Sequence, residues 1–258
     1  MDYDKSSVAS VYDRGRSNPP EVLRQWLDVV ASHAPQNVQH IVDLGCGTGR
    51  YSDALARYFG AKVTAIDPSR RMLDEARKKP VCERVRFLQA PGEQIPVADG
   101  SADLVFMSMV VHHLADIVGT ARECRRVLRS GGRVAIRNGT SDTPSPELDF
   151  FPGLRALTEA ETPSRRAIIA AFEAAGFETN THQLVRQVLA PSWNAFAEKM
   201  ALKATSFISR LPEADFQVGI SALRAHAARM PGQAVAMEID FFVFGNGEFG
   251  SGRDFGRV

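Results

Sequence analysis

One stretch limits what this chain can fold into more than any other: Ile41-Val42-Asp43-Leu44-Gly45-Cys46-Gly47-Thr48-Gly49. Branched apolar residues and Leu44 read as a short buried strand. A glycine-rich turn follows, then a helix over residues 51–59 that Gly60 stops. Asp43 stands where a carboxylate can point from the strand toward a ligand. Gly45, Gly47 and Gly49 strip three side chains from the turn, so a ligand can lie against backbone.

The spacing narrows the ligand. A dinucleotide fingerprint requires G-x-G-x-x-G or G-x-G-x-x-A. Arg50 stands at the third small position and is too large for the helix–strand contact served there. No G-K-[ST] follows, which excludes a P-loop. What remains is G-x-G-x-G preceded by an acid, and that acid suits a ligand with an ammonium group better than a pyrophosphate. Val42 to Gly49 resembles motif I of class I S-adenosylmethionine-dependent methyltransferases, of the small-molecule, methyltransferase domain 11-like type. The resemblance covers residues 38–138 well and the remainder by topology. It implies an α/β fold: a Rossmann-like, seven-stranded, mostly parallel sheet with helices on both faces. It also implies S-adenosyl-L-methionine as cofactor, S-adenosyl-L-homocysteine as product, and binding through Asp43, Gly45, Cys46, Gly47 and Gly49.

Composition is compatible. The 258 residues are 44% apolar and 24% charged, enough for a substantial core. A net charge of +1 gives no reason to expect a polyanion, so no nucleic-acid partner is expected. No apolar run approaches the ~20 residues of a membrane span. The first residues, Met-Asp-Tyr-Asp-Lys, lack a signal-peptide core. Cys46, Cys82 and Cys124 are far apart and fit reduced thiols in a cytoplasmic protein, with neither a disulfide frame nor a metal site.

Residues 1–37 are read as an N-terminal helical lid and residues 38–258 as the methyltransferase domain. Asn18 suits the N-cap of a helix that Pro19, Pro20 and Glu21 begin and Pro35 ends, with Val22, Leu23, Trp26, Leu27, Val29 and Val30 as its apolar stripe. By resemblance, the helix that carries Tyr12 folds over the cofactor as a lid, Tyr12 lines the active site on the substrate side, and Arg14 or Arg16 meets a carboxylate, Arg16 as a substrate contact. Read from the residues alone, the same segment is a surface helix with solvated arginines.

A strand over residues 61–66 leads to Asp67, 18 residues past Gly49. An acid about 20 residues past such a turn can accept hydrogen bonds from both ribose hydroxyls; as an alternative, Asp67 caps the next helix. Pro68 adjoins it, and Met72 packs either on adenine or in the core. After a strand at 84–89, relatives carry Gly-Asp-Ala where this chain has Ala90-Pro91-Gly92, so adenine is expected on the Gly92 backbone with Glu93 nearby. A strand at 102–108 delivers Ser108 and Met109, where the family holds the methionine end of the cofactor, and then His112 and His113. The resemblance gives His112 the role of general base and His113 a substrate contact; the alternative is that one caps the helix at 115–128 and the other packs. That helix stops at Arg129-Ser130-Gly131-Gly132. A strand at 133–137 follows, with Arg137 and Asn138 at its rim end. Asn138 replaces an acid that supports a base in some relatives.

The second half reads as a polar loop at 140–146, a helix from Thr162 through Ala175, a strand at 178–189, helices at 191–208 and 212–229, and a final strand at 234–244. By resemblance that strand is antiparallel at the far end of the sheet, and the helices form a cap insertion at about 190–231. Trp193, Phe196, Met200 and Phe207 line the substrate or bury the insertion. The expected activity is methyl transfer to an O or N atom of a small molecule. The alternatives are a non-catalytic cofactor-binding protein and a methyltransferase acting on protein or nucleic acid. The latter is disfavoured because no N-P-P-[YF] ends the 102–108 strand. Oligomeric state and acceptor identity are left open.

Overall fold

Alternation of apolar strands with amphipathic helices gives the expected doubly covered sheet. The computed structural model describes residues 19–247. In chain order, its first half comprises α1 (Pro20–His33), β1 (His40–Leu44), α2 (Ser52–Phe59), β2 (Lys62–Asp67), α3 (Arg70–Arg77), β3 (Val85–Gln89), β4 (Ala102–Ser108), α4 (Ile117–Val127) and β5 (Leu128–Asn138). The second half comprises α5 (Leu154–Glu161), α6 (Arg165–Ala174), β6 (Glu178–Ala190), α7 (Trp193–Ala201), α8 (Glu213–Arg229) and β7 (Val235–Gly245).

The sheet order is β3-β2-β1-β4-β5-β7-β6. Strands β1 to β5 are parallel to their neighbours, whereas β7 runs antiparallel to both β5 and β6. The last strand therefore sits between β5 and β6, and β6 is the edge. Its apolar residues explain the position: Ile239, Phe241, Phe242, Val243 and Phe244, interrupted by Asp240 alone, are buried on both faces, as an inner strand requires. One core lies on the face that α4 and α6 cover, with Phe172 and Phe177 packed near Phe242 and Phe244. A second lies beneath α1 and α2, around Trp26, Leu55 and Phe106.

Several local outcomes differ from the sequence reading. Asn18 lies outside the described residues, and the N-cap of α1 is Pro19, with no side-chain cap. Ser69, not Asp67, caps α3: its hydroxyl accepts from the Met72 N–H at 3.2 Å. Asp116 caps α4 by accepting from the Gly119 N–H at 2.8 Å, so neither histidine does. Residues expected as a turn, 129–132, belong to β5, because Gly131 and Gly132 exchange backbone hydrogen bonds with Asn246. The short α5, which follows Gly153 in the left-handed region, was not expected.

Between β6 and β7, α7 and α8 enclose a third core with Phe151, Phe196, Phe216 and Ile220. On β7, the fully buried Asp240 ties this end of the sheet together. It accepts from Arg165 Nε, His182 Nε2, Thr140 Oγ1 and Thr143 Oγ1, each at 2.7 Å. Burial alone would push its carboxyl up, but these donors outweigh it and hold the group below its ordinary value. Among the described residues no helix is long and apolar enough to cross a membrane.

Candidate active site

Because β1, β2 and β4 are parallel, their carboxyl ends and the turns after them share one rim. A cleft of about 50 Å³ opens there, lined by Asp43, Gly45, Gly47, Arg50, Ser108 and Met109 among others. The turn glycines have different physical reasons. A Cβ at Gly45 would stand 2.2 Å from Val110 Cγ2, and one at Gly49 would stand 3.0 Å from the Phe87 ring. At Gly47, with φ +55°, a Cβ would meet nothing within 4 Å. Gly45 and Gly49 thus answer to packing, and Gly47 alone faces open space. This narrows the expectation that all three bare the backbone to a ligand.

Asp43 is 2% exposed, and its Oδ2 accepts from the Ser52 hydroxyl at 2.6 Å. Among the described residues no cation pairs with it. Burial, reinforced by the Asp67 carboxylate and opposed by the Ser52 hydrogen bond, pushes its carboxyl from 3.8 up to about 7. Asp67 ends β2 and accepts from the Gly47 N–H at 2.8 Å and the Ser69 N–H at 2.9 Å. It therefore ties the glycine turn to the start of α3. Pro68 beside it is exposed, and Met72 is buried one turn on. Burial, together with the Asp43 and Asp67 carboxylates, pushes the Cys46 thiol well above its ordinary value, so it stays protonated.

The third strand's turn contributes differently from expectation. Gly92 is buried, with room for no side chain against Thr120 and Leu114. Glu93 Oε1 accepts from the Asp116 N–H at 3.1 Å, so it fixes the entry to α4. At the end of β4, Met109 holds φ +56°, a left-handed conformation that a residue with a side chain adopts only under constraint. Its N–H donates to the Arg137 carbonyl at 2.7 Å, and Ser108 Oγ accepts from Arg137 at 3.1 Å.

A second cavity, of about 120 Å³, adjoins the first, and Arg50 and Met109 line both. Its polar wall holds Arg50, Arg137, Glu147, Gln187, Lys199 and Thr205. Its apolar wall comprises Met109, Leu189, Phe196, Met200, Met237 and Ile239. Arg137, 5% exposed, also donates to Gln187 Oε1 at 2.6 Å and lies 4.7 Å over the Trp26 ring. Trp26 Nε1 donates to the same Gln187 oxygen at 2.7 Å, so α1 braces this wall.

His112 and His113 form a single 3₁₀ turn, Val111–His113, directly after the rim. Their rings lie 4.0 Å apart, and His112 stacks on Phe207 of the cap at 5.9 Å. Neither lines the two cavities. Asn138 is fully buried: its Oδ1 accepts from the Val111 N–H at 3.2 Å, and its amide donates to the Gly139 carbonyl. It holds the backbone of the histidine turn and lines neither cavity, although the notion of a substrate contact follows from its place at the rim end of its strand. Trp193 likewise turns into the third core, against Phe150, Phe196 and His226. Phe196 and Met200 are the cap residues that do reach the cavity. Tyr12 and Arg16 lie outside the described residues. Sequence reasoning missed Glu147, Gln187 and Lys199, because only the folded cap and edge strand bring them to the rim. Among the described residues no group of three His, Cys, Asp or Glu could hold a metal ion.

Comparison with known proteins bears on the fold and the family. The methyltransferase domain family matches residues 42–136. The 27-O-demethylrifamycin SV methyltransferase of Amycolatopsis mediterranei is 29% identical over 80% of this chain and 78% of its own. The O-methyltransferase cnsE of Penicillium expansum is 28% identical over 72% of this chain and 70% of its own. Among solved structures, geranyl diphosphate C-methyltransferase from Streptomyces coelicolor, in complex with S-adenosyl-L-homocysteine, superposes with a TM-score of 0.56. Its identity is 18%, over 94% of each chain.

Proposed function

We propose an acceptor for a chain that is itself a class I S-adenosylmethionine-dependent methyltransferase: a small molecule that receives the methyl group on oxygen or nitrogen. The observation that carries this reading is the shared wall of the two cavities. Methyl transfer needs donor and acceptor held in line at contact distance, and Arg50 and Met109 line both spaces. A cavity of about 120 Å³ beneath the α7–α8 cap suits a small molecule better than a polymer.

The residues present fit the donor. Asp43 is a buried carboxyl without a cationic partner among the described residues, and the donor's ammonium group complements it. Gly47 leaves open space at the turn, and Asp67 is aimed at the same edge, where it can accept from ribose hydroxyls. Gly45, Cys46 and Gly49 shape the turn, Ser108 and Met109 border the methionine end, and Pro68, Met72, Gly92 and Glu93 belong to the adenine side. When bound, the donor supplies a methyl group already activated on a sulfonium. The chain's own task is to orient the acceptor and, for a protonated nucleophile, to receive a proton. His112 is the ionisable group that the turn after β4 sets at the rim against Phe207 of the cap. Asn138 sets that turn's backbone, and His113 stacks beside His112 as a contact at the acceptor's edge. Tyr12 and Arg16 complete the reading as lid residues over the cleft. The protein works in the cytoplasm on a diffusible acceptor.

The test is transfer of labelled methyl from S-adenosylmethionine to a panel of small alcohols, phenols, acids and amines. The reading expects label in at least one small molecule and none in protein or nucleic acid. Label only in a macromolecule would overturn it.

A further inference from the structure

Arg50 and Tyr51 follow the glycine turn directly, and both line the first cleft. Tyr51 is the N-cap residue of α2, and its ring packs at 5.1 Å against that of Phe106, a fully buried residue of β4. Tyr51 is 7% exposed, and its hydroxyl is buried without a hydrogen-bond partner among the described residues. Arg50 is half-buried and, among the described residues, makes no hydrogen bond or ion pair. The next residue, Ser52, donates to Asp43 of the same cleft. A buried hydroxyl left unpaired loses its hydration without a protein partner to replace it. A guanidinium drawn partly out of water is stabilised by an anion that accepts from its fork.

The charges of this cleft match a zwitterion. Asp43 and Arg50 line it together and do not pair with each other. The methyl donor carries its ammonium and its carboxylate on one carbon atom, so the two enter together. We propose that Arg50 and Tyr51 jointly hold the donor's carboxylate, the guanidinium and the phenolic O–H each donating to it, while Asp43 takes the ammonium. The inference rests on that placement of the ammonium and deepens it. The pair belongs to the donor and not to the acceptor, because Tyr51 does not line the second cavity.

The same contact gives Arg50 a use at its place in the chain. A dinucleotide fold needs a small side chain there, whereas this turn delivers a guanidinium to the cleft. A nucleoside ligand that lacks the carboxylate forfeits both contacts and, if it keeps the ammonium, retains the one to Asp43.

The experiment is calorimetry of the full chain with S-adenosyl-L-homocysteine and with its decarboxylated form, whose aminopropyl thioether keeps the ammonium and the nucleoside. The parent should bind the carboxylate form at least tenfold more tightly. Arg50→Gln should remove most of that preference, and Tyr51→Phe should reduce it at least threefold, while both variants bind the decarboxylated form within twofold of the parent. Asp43→Asn should weaken both ligands alike. Ligand-free Tyr51→Phe should melt no lower than the parent, because its hydroxyl has no protein partner to lose. Equal binding of the two forms by the parent, a preference unchanged in either Arg50→Gln or Tyr51→Phe, or a lower melting point for ligand-free Tyr51→Phe would each overturn the inference. The placement of the ammonium would survive those results if Asp43→Asn still weakens both ligands. Failure of S-adenosyl-L-homocysteine itself to bind the parent would overturn both.

Discussion

Replacing Asp43 with asparagine separates the cost of the cleft from its use. The carboxyl is 2% exposed and pushed from 3.8 up to about 7, chiefly by burial. Its folded value is raised, so folding favours the protonated form. The associated stability is fully present below about 3.8 and is lost as pH rises through about 7. At about 1.36 kcal/mol per pH unit, the buried charge costs the ligand-free protein about 4 kcal/mol in alkaline solution. Asparagine can still accept from Ser52 but has no charge to bury. Asp43→Asn should therefore gain stability over the parent as pH rises, the gap widening by about 2.5 kcal/mol between about pH 5 and about pH 8.5. Urea denaturation monitored by tryptophan fluorescence at the two pH values reads this directly. In calorimetry the same variant should bind S-adenosyl-L-homocysteine at least tenfold more weakly, because the ammonium group loses its carboxylate. Parent affinity should fall as pH drops through about 7, where the carboxyl takes up a proton. A stability gap independent of pH would refute the claim that Asp43 is held at a cost for a cationic ligand.

Other positions give simpler expectations. Asp67→Ala removes the acceptor that ties Gly47 to the end of β2 and that is proposed to hold the ribose; at about 1.5–3 kcal/mol for hydrogen bonds to a charged group, calorimetric affinity for S-adenosyl-L-homocysteine should fall at least tenfold. Gly45→Ala drives a methyl into Val110 and should lower the thermal midpoint, at a cost of about 1–3 kcal/mol for overpacking. Gly47→Ala meets no neighbour and should cost about 1 kcal/mol through its positive φ, with a larger effect on cofactor affinity than on stability. His112→Ala should reduce turnover while donor affinity is kept; equal turnover in single-turnover assays would remove His112 from the chemistry.

The parts of this molecule that sequence made legible are those whose cause is local. The strand–turn–helix around Gly47, the acid at Asp67 and the periodicity of α1 and α8 are each set by residues close in the chain. The purposes of Gly45 and Gly49 were not, because Val110 and Phe87 meet them only after the sheet forms. Asn138 looked like a rim residue from its place at the end of a strand, and its burial beneath Val111 is a tertiary fact. β7 was expected at the far end of the sheet, whereas it lies between β5 and β6, because its pairing with β5 joins residues more than a hundred apart in the chain. Trp193 and Lys199 lie on one short helix and are both long, amphipathic side chains. Sequence suggested the tryptophan for the cavity and passed over the lysine, whereas the fold turns the tryptophan into the core and the lysine to the cavity wall.

The most direct test of the account is calorimetric titration of the full chain with S-adenosyl-L-homocysteine, with NAD as control. The account predicts micromolar binding of S-adenosyl-L-homocysteine, weakened in Asp43→Asn and Asp67→Ala, and no heat from NAD. Binding of NAD, or no binding of S-adenosyl-L-homocysteine to the folded parent, would contradict it.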